Sequence, residues 1–397
     1  MTVELTAPSD RPRPPGAGDG GLEIRPVETR AGLDRFIRLP FALHRGDPHW
    51  VPPLMMERRG ALSPDKNPFF RHAETRFWIA SRAGRDVGRI SAQVDRLALA
   101  PPGLETGGPI GHFGLLAAVD DPAVVAALTA TAEDWLRGRG MARVLGPFNL
   151  SINEETGLLV DGFDTPPMLM MGHDRPWLGP HLEAAGYANA KDVLAYISEG
   201  DLPQALRKRL DRPLPPDVTV RPLRMAEYRR EIDRLVAIFN DAWSGNWGFV
   251  PMTEAEVDHM ATQMKPLIHE RLVWFAEVKG EPAAFIVCLP NLNEAIRDLN
   301  GSLFPLGWAK LLWRLKVKRL ETGRVPLMGV RRQHASSFLG STLTFVLMHR
   351  LRQEAVRLGM KRMEMSWVLE DNKPMRHIAE VLGGRVYKTY RIYGKSL

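Results

Sequence analysis

The sequence predicts an α/β protein in which one domain is used twice, each copy a central mixed β-sheet flanked by helices. Three observations carry this reading. The first is a spaced recurrence of residues. Arg25-Pro26 returns as Arg221-Pro222, and Trp78, Ala80 and Gly84 return as Trp274, Ala276 and Gly280, all 196 positions on. Gly140-Met141 and Arg143 return as Gly359-Met360 and Arg362 at 219, and Gly186, Lys191 and Tyr196 as Gly383, Lys388 and Tyr393 at 197. An offset that rises by 23 and falls back by 22 marks one insertion in each copy, at different places. The second observation is a hairpin signal at the same point of both copies, Ala83-Gly84-Arg85-Asp86 and Lys279-Gly280-Glu281. The third is the alternation of strand and helix patterns, which calls for layered α/β packing.

In order along the first copy, Leu22–Val27 reads as a short strand and 33–44 has helical apolar spacing. Strands 75–82 and 87–95 flank the hairpin turn, and 111–119 is the next strand. Asp121-Pro122 opens a helix, with Asp as cap and Pro at its first position, and Gly140 ends it. A strand at 144–148 leads into a long irregular segment to Pro180, a short helix end at 181–185 and a last strand at 193–197. The second copy repeats the order: strand 218–223, helix 226–242, strands 272–278 and 283–289, strand 326–330, helix 340–358, strand 362–368, helix 374–382 and strand 385–393. The boundaries follow: a disordered tail at 1–21, domains at 22–200 and 217–397, and a proline-broken linker at 201–216.

Of the 397 residues, 44% are apolar and 25% charged, ordinary for a globular protein with two cores. Cys288 is alone, so no intrachain disulfide forms; its apolar run predicts a buried strand thiol and a reducing cytoplasm. No 18-residue apolar stretch predicts a membrane span, and the tail lacks the apolar core of a signal peptide. The net charge of +7 and pI near 9.6 favour an anionic partner. Neither zinc-ligand spacing nor an RNA-binding aromatic run is present, so nucleic acid and a bound metal are not expected.

The second copy's Trp367-Val-Leu-Glu-Asp-Asn372-Lys-Pro-Met and Leu382-Gly-Gly-Arg-Val-Tyr387 resemble the strand, Asn-bearing helix and closing turn of the GNAT acyltransferases. Gly146-Pro-Phe-Asn149-Leu-Ser-Ile-Asn153-Glu-Glu, Asp161-Gly-Phe-Asp-Thr-Pro-Pro-Met, Asn246-Trp-Gly-Phe-Val-Pro-Met and Tyr387-Lys-Thr-Tyr-Arg-Ile-Tyr393 are similar to a bacterial tandem-GNAT family that includes ceramide synthases. The resemblance covers nearly everything after the tail. It implies acyl transfer from acyl-CoA or acetyl-CoA, as co-substrate, to an amine; the favoured acceptor is a long-chain, sphingoid-like base. Two alternatives stand beside it: an N-acetyltransferase acting on a small soluble amine, and a non-catalytic ligand-binding or membrane-peripheral protein.

GNAT enzymes seat pyrophosphate at a helix N-terminus, where unpaired N–H groups and the helix dipole attract anions. The first copy has Asp120-Asp121-Pro122 there, two carboxylates and a missing donor. The second has Arg331, Arg332, Gln333, Ser336, Ser337 and Gly340, which suits an anion, with Asn372 as a further CoA contact or a helix cap. The family's loop glycines fall on Ser336 and Phe338, a departure that weakens the match.

The first insertion crowds Asn149, Asn153, Glu154, Glu155 and Asp161 ahead of Pro166-Pro-Met168-Leu-Met-Met171, an expected acceptor site with a methionine wall. For the base that frees the amine the candidates are Glu154, Glu155, Glu364 and Glu370, with Glu154 and Glu370 preferred. For the acid they are Tyr387, Tyr390 and Tyr393, with Tyr387 preferred. On strand parity Tyr387 and Tyr393 share a face and Tyr390 takes the other. The second insertion, 296–320, reads as a helix over 305–320. Trp308, Leu311, Leu312 and Leu315 form an apolar stripe and Lys310, Arg314 and Lys318 a basic one, which fits peripheral contact with the inner face of a membrane.

Overall fold

A computed structural model describes residues 21–199, 202 and 204–397; most of the predicted tail lies outside them. The first copy runs β1 (Glu23–Pro26), α1 (Arg30–Leu43), α2 (Met55–Ala61), β2 (Ala73–Arg82), β3 (Arg85–Asp95), β4 (Ile110–Ala118), α3 (Pro122–Arg137), β5 (Arg143–Gly146), β6 (Phe148–Asn149), β7 (Glu155–Thr156), β8 (Leu158–Asp161), α4 (Leu178–Ala184) and β9 (Ala188–Glu199). The second runs α5 (Gln204–Leu210), β10 (Val218–Pro222), α6 (Tyr228–Trp243), α7 (Glu254–Met264), β11 (Val273–Val278), β12 (Glu281–Pro290), α8 (Leu292–Ile296), α9 (Gly307–Trp313), β13 (Thr322–Val330), α10 (Arg332–Ala335), α11 (Phe338–Arg357), β14 (Arg362–Leu369), α12 (Lys373–Val381) and β15 (Gly384–Ser396). The expected linker therefore holds a helix, α5, whose Leu210 packs into the second copy's core.

The repeat sets up a feature that sequence spacing does not reveal. The main sheet has the order β1-β2-β3-β4-β5-β15-β9-β14-β13-β12-β11-β10. The last strand of each copy has crossed over. β9 pairs with β14 of the second copy, and β15 pairs with β5 of the first. The two exchanged strands pair with each other along the middle. Side chains follow their strands. Tyr196, from the first copy, lies in the second copy's core and its hydroxyl is 3.3 Å from Glu380. Its counterpart Tyr393 lies in the first copy's core, 3.1 Å from Glu183.

Helix ends follow local chemistry. Asp121 accepts from the Ala123 N–H at the start of α3, and Thr253 and Glu256 form a reciprocal cap on α7. Cys288 is buried in β12. In each copy the fourth and fifth strands run parallel for a few residues and then part: Ile110–His112 against Arg143–Leu145, and Thr322–Val325 against Arg362–Met365. What occupies the space after each parting differs between the two copies.

Candidate functional site

In the first copy the parting is filled by the chain itself. A Cβ on Gly114 would lie 1.8 Å from the Phe148 carbonyl oxygen, so only glycine admits this approach. The Asn149 side chain accepts the Leu115 N–H at 2.7 Å and donates to Glu155 at 2.8 Å; Glu155 in turn is 3.3 Å from the Arg58 guanidinium. Leu115 sits at φ +48° beside an irregularity in the β3–β4 ladder, so its N–H is available to a side chain. Asn149 and Glu155, expected on the acceptor, are thus committed to closing this cleft.

In the second copy the strand that follows the parting carries a buried polar cluster instead. Glu364 on β14 faces Arg324 on β13 in the parallel register. Both are buried, and the Arg324 Nε lies 3.4 Å from the carboxylate. The Ser366 hydroxyl donates to Glu364 at 2.5 Å and accepts from Arg324 at 2.9 Å. The Tyr387 hydroxyl donates to the other carboxylate oxygen. Burial, and then the Glu364 charge, push the Tyr387 phenol far above its ordinary range, so it stays protonated and keeps donating. Arg324 also donates to the Leu169 carbonyl at 2.8 Å and lies over the Trp367 ring at 4.7 Å. The Trp367 indole N–H is buried without a partner, an open donor beside the cluster.

Strand register pairs each member of this cluster with a residue of the first copy. Arg324 and Glu364 answer to His112 and Leu145, since His112↔Leu145 and Arg324↔Glu364 hold the same place in their ladders. The offsets of 219 and 197 carry Ser366 to Pro147 and Tyr387 to Ala190. One copy builds a carboxylate site where the other has no carboxylate.

The remaining expected residues fall elsewhere. Glu154 lies by Arg58 and Glu155, where burial pushes its carboxyl up to about 8. Glu370 accepts the Asp192 N–H at 3.2 Å, just past the end of β14 and six residues after Glu364. Of the three preferred catalytic residues, only Tyr387 reaches the cluster; Glu364 is the carboxylate it meets. Strand parity also fails on β15. Irregularities at Val386/Lys388 and Ile392/Tyr393 bring Tyr387 and Tyr390 into one apolar cluster and turn Tyr393 into another. Asn153 donates to the Val250 carbonyl at 3.1 Å, Asp161 is exposed at the end of β8, and Met168 is buried among Leu159, Met171 and Tyr390.

The basic turn is tied down more than its sequence suggests. Arg331 donates to the Pro282 carbonyl at 2.7 Å; the Arg332 N–H donates to Asp241 at 2.8 Å and its guanidinium to Ser244 at 2.5 Å. Gln333 and Ser336 are exposed, and Ser337 caps α11 by accepting the Gly340 N–H at 3.0 Å. Gly340 is required by close approach, since a Cβ there would meet the His334 carbonyl oxygen at 2.1 Å. Asn372 caps α12 through the Met375 N–H at 3.1 Å, the second of the two roles expected of it.

The basic stripe of the second insertion is also rearranged. α9 is followed by a π-helical turn, Arg314–Lys318, and Lys310 and Arg314 fold back onto Asp298. Sequence reasoning missed Arg324 and Ser366. Part of the signal lies in the strand register: Glu364 and Ser366, both buried, stand opposite Leu145 and Pro147, whereas Arg324 stands opposite another buried polar residue, His112.

Comparison with known proteins agrees with the fold. No protein-family model matches the chain. A tandem GNAT protein from the clavulanic acid biosynthesis pathway superposes with a TM-score of 0.55 at 14% identity, over 95% of this chain and 98% of that one. A GCN5-related N-acetyltransferase from Sphaerobacter thermophilus gives 0.50 at 12% identity, over 94% and 95%. Fold and sequence together define a tandem-GNAT acyltransferase. The chain is 55% identical over 379 residues to the bacterial ceramide synthase of Caulobacter vibrioides (strain NA1000 / CB15N), covering 95% of this chain and 98% of that one. It is 45% identical over 377 residues to protein YghO of Escherichia coli (strain K12), covering 94% and 95%. It belongs to the bacterial ceramide synthase family of tandem-GNAT acyltransferases.

Proposed function

We propose that the chain transfers an acyl group from acyl-CoA to the amine of a long-chain base, on the cytoplasmic side of the membrane, at the Glu364 cluster of its second copy. The observation that carries this is the buried Glu364 carboxylate, held by Tyr387 and Ser366, at a place where the first copy has Leu145. The ceramide synthase relative supports a lipid acceptor.

The chemistry requires an amine lone pair to attack the thioester carbonyl carbon. A C–N bond forms, the C–S bond breaks, and CoA leaves as a thiolate. The nitrogen then holds one proton too many and the sulfur one too few. Glu364 takes the nitrogen proton and gives it up again to the departing thiolate, so that the amide and the CoA thiol leave neutral and the carboxylate is restored. Tyr387 and Ser366 hold the carboxylate in place by donating to it. The buried indole N–H of Trp367 is a donor placed to meet a carbonyl oxygen as negative charge builds on it. The basic turn at Arg331 and Arg332 faces the diphosphate of CoA.

Glu364→Gln keeps shape and removes the proton acceptor. With palmitoyl-CoA and sphinganine, amide formation is expected to fall about 100- to 10,000-fold, with the melting temperature close to that of the wild type. A folded Glu364→Gln protein with wild-type turnover would overturn this assignment.

A further inference from the structure

The second insertion presents an apolar face to solvent. Phe304 is 77% exposed, Leu306 73%, Trp308 49%, Trp313 53% and Val317 64%. On α9, positions 308, 309, 312 and 313 share one side of the helix. Leu311 and Leu315 turn toward the protein and are half-buried. No residue of α9 or of the turn after it is buried. An expanse of large apolar side chains on a folded surface marks a contact with something apolar.

Charge says what covers it. Lys310 and Arg314 fold back onto Asp298, with Arg314 Nη2 at 2.9 Å. Lys316, Lys318 and Arg319, just beyond, are exposed, as is Arg297 at the root of the insertion. The outward face therefore joins tryptophan, leucine and phenylalanine to a fringe of cations. A bilayer with anionic headgroups complements both parts: its acyl boundary takes the apolar row and its phosphates meet the cations. A protein partner would complement the apolar row but needs its own acidic rim. Among the described residues, no helix is long and apolar enough to cross the membrane, so contact of this kind is peripheral.

The insertion is also rooted beside the Glu364 cluster. The Leu169 N–H donates to Asn291 at 3.0 Å, and the Asn293 amide donates to the Met168 carbonyl at 3.0 Å. The carbonyl of the same Leu169 holds Arg324. The segment leading into the insert thus holds the loop whose carbonyl meets Arg324.

We propose that the 304–319 surface docks on an anionic bilayer, with Phe304, Leu306, Trp308, Leu312, Trp313 and Val317 entering the headgroup region and Lys316, Lys318 and Arg319 on its phosphates. This stands apart from the acyl-transfer reading, because vesicle binding needs no substrate and no turnover.

The test is flotation with vesicles of phosphatidylcholine carrying 30% phosphatidylglycerol, against vesicles of phosphatidylcholine alone. The full chain is expected to float with the anionic vesicles and to be released by high salt. Trp308→Ser with Leu312→Ser and Trp313→Ser is expected to lower binding at least tenfold, and Lys316→Glu with Lys318→Glu and Arg319→Glu to lower it on anionic vesicles only. Melting curves confirm that each variant is folded. The proposal is overturned if the wild type fails to bind, or if a folded triple-serine variant binds as the wild type does. It is equally overturned if sedimentation shows that the serine substitutions turn a dimer into a monomer with vesicle binding unchanged, since the face then covers a second copy of the chain.

Discussion

Glu364 and Leu145 occupy one position in two copies of a single ladder, and the difference between them is the difference between a carboxylate site and a packed core. A buried carboxylate is tolerated only with donors around it, and Tyr387, Ser366 and Arg324 supply them. Tyr387 was legible from its place near the end of the chain. Glu364 was one of four candidate bases, behind the preferred Glu154 and Glu370, because the order depends on burial and partners that sequence does not report. Arg324 was hidden because the strand was expected to start at Pro326, two residues after it. Glu154 shows the reverse case: an acid with a perturbed carboxyl that lies away from the cluster. Its folded pKa is raised to about 8, from an unfolded value of 4.5, with burial as the main cause. Between those values the folded state holds more protons than the unfolded state, so this group's contribution to stability falls as pH rises from 4.5 to 8. Glu154→Gln removes that slope. The variant is expected to gain on the wild type by on the order of 2 kcal/mol from pH 5 to pH 8, after discounting for partial exposure. Urea unfolding at the two values checks this, and a constant difference would contradict it.

Elements were easier to read than their contacts. The hairpin turns, the proline start of α3 and the glycine stops are set by local backbone chemistry, and they fall where sequence places them. What escaped was anything that depends on a distant partner. The irregularities in β15 move Tyr390 to the side of Tyr387, which parity cannot foresee. The polar run after Phe148 has the composition of a ligand loop, yet its first residues close the first copy's cleft. That closure rests on Gly114. Gly114→Ala forces a methyl group against a backbone carbonyl that has no room to yield, and is expected to cost at least about 2 kcal/mol of stability. Chemical denaturation measures it; an unchanged midpoint would show that the cleft is open.

At the scale of the whole molecule, the duplication explains both the symmetry and its breaking. β9 and β15 have traded places within the one main sheet, so neither half completes its own core. Strand sequences could not report this, since an apolar strand fits either neighbour equally well. The exchange sets β15, and with it Tyr387, against β9, which lies next to the Glu364 strand β14. One cleft is closed by its own loop, the other holds a carboxylate, and the basic turn at Arg331 and Arg332 belongs to the second. The account therefore predicts a single acyl-CoA site for each chain. Isothermal titration calorimetry with palmitoyl-CoA below its micelle concentration tests this most directly. The predicted result is one molecule bound for each wild-type chain, and none by Arg331→Glu with Arg332→Glu; two molecules bound, or undiminished binding by that variant, would contradict it.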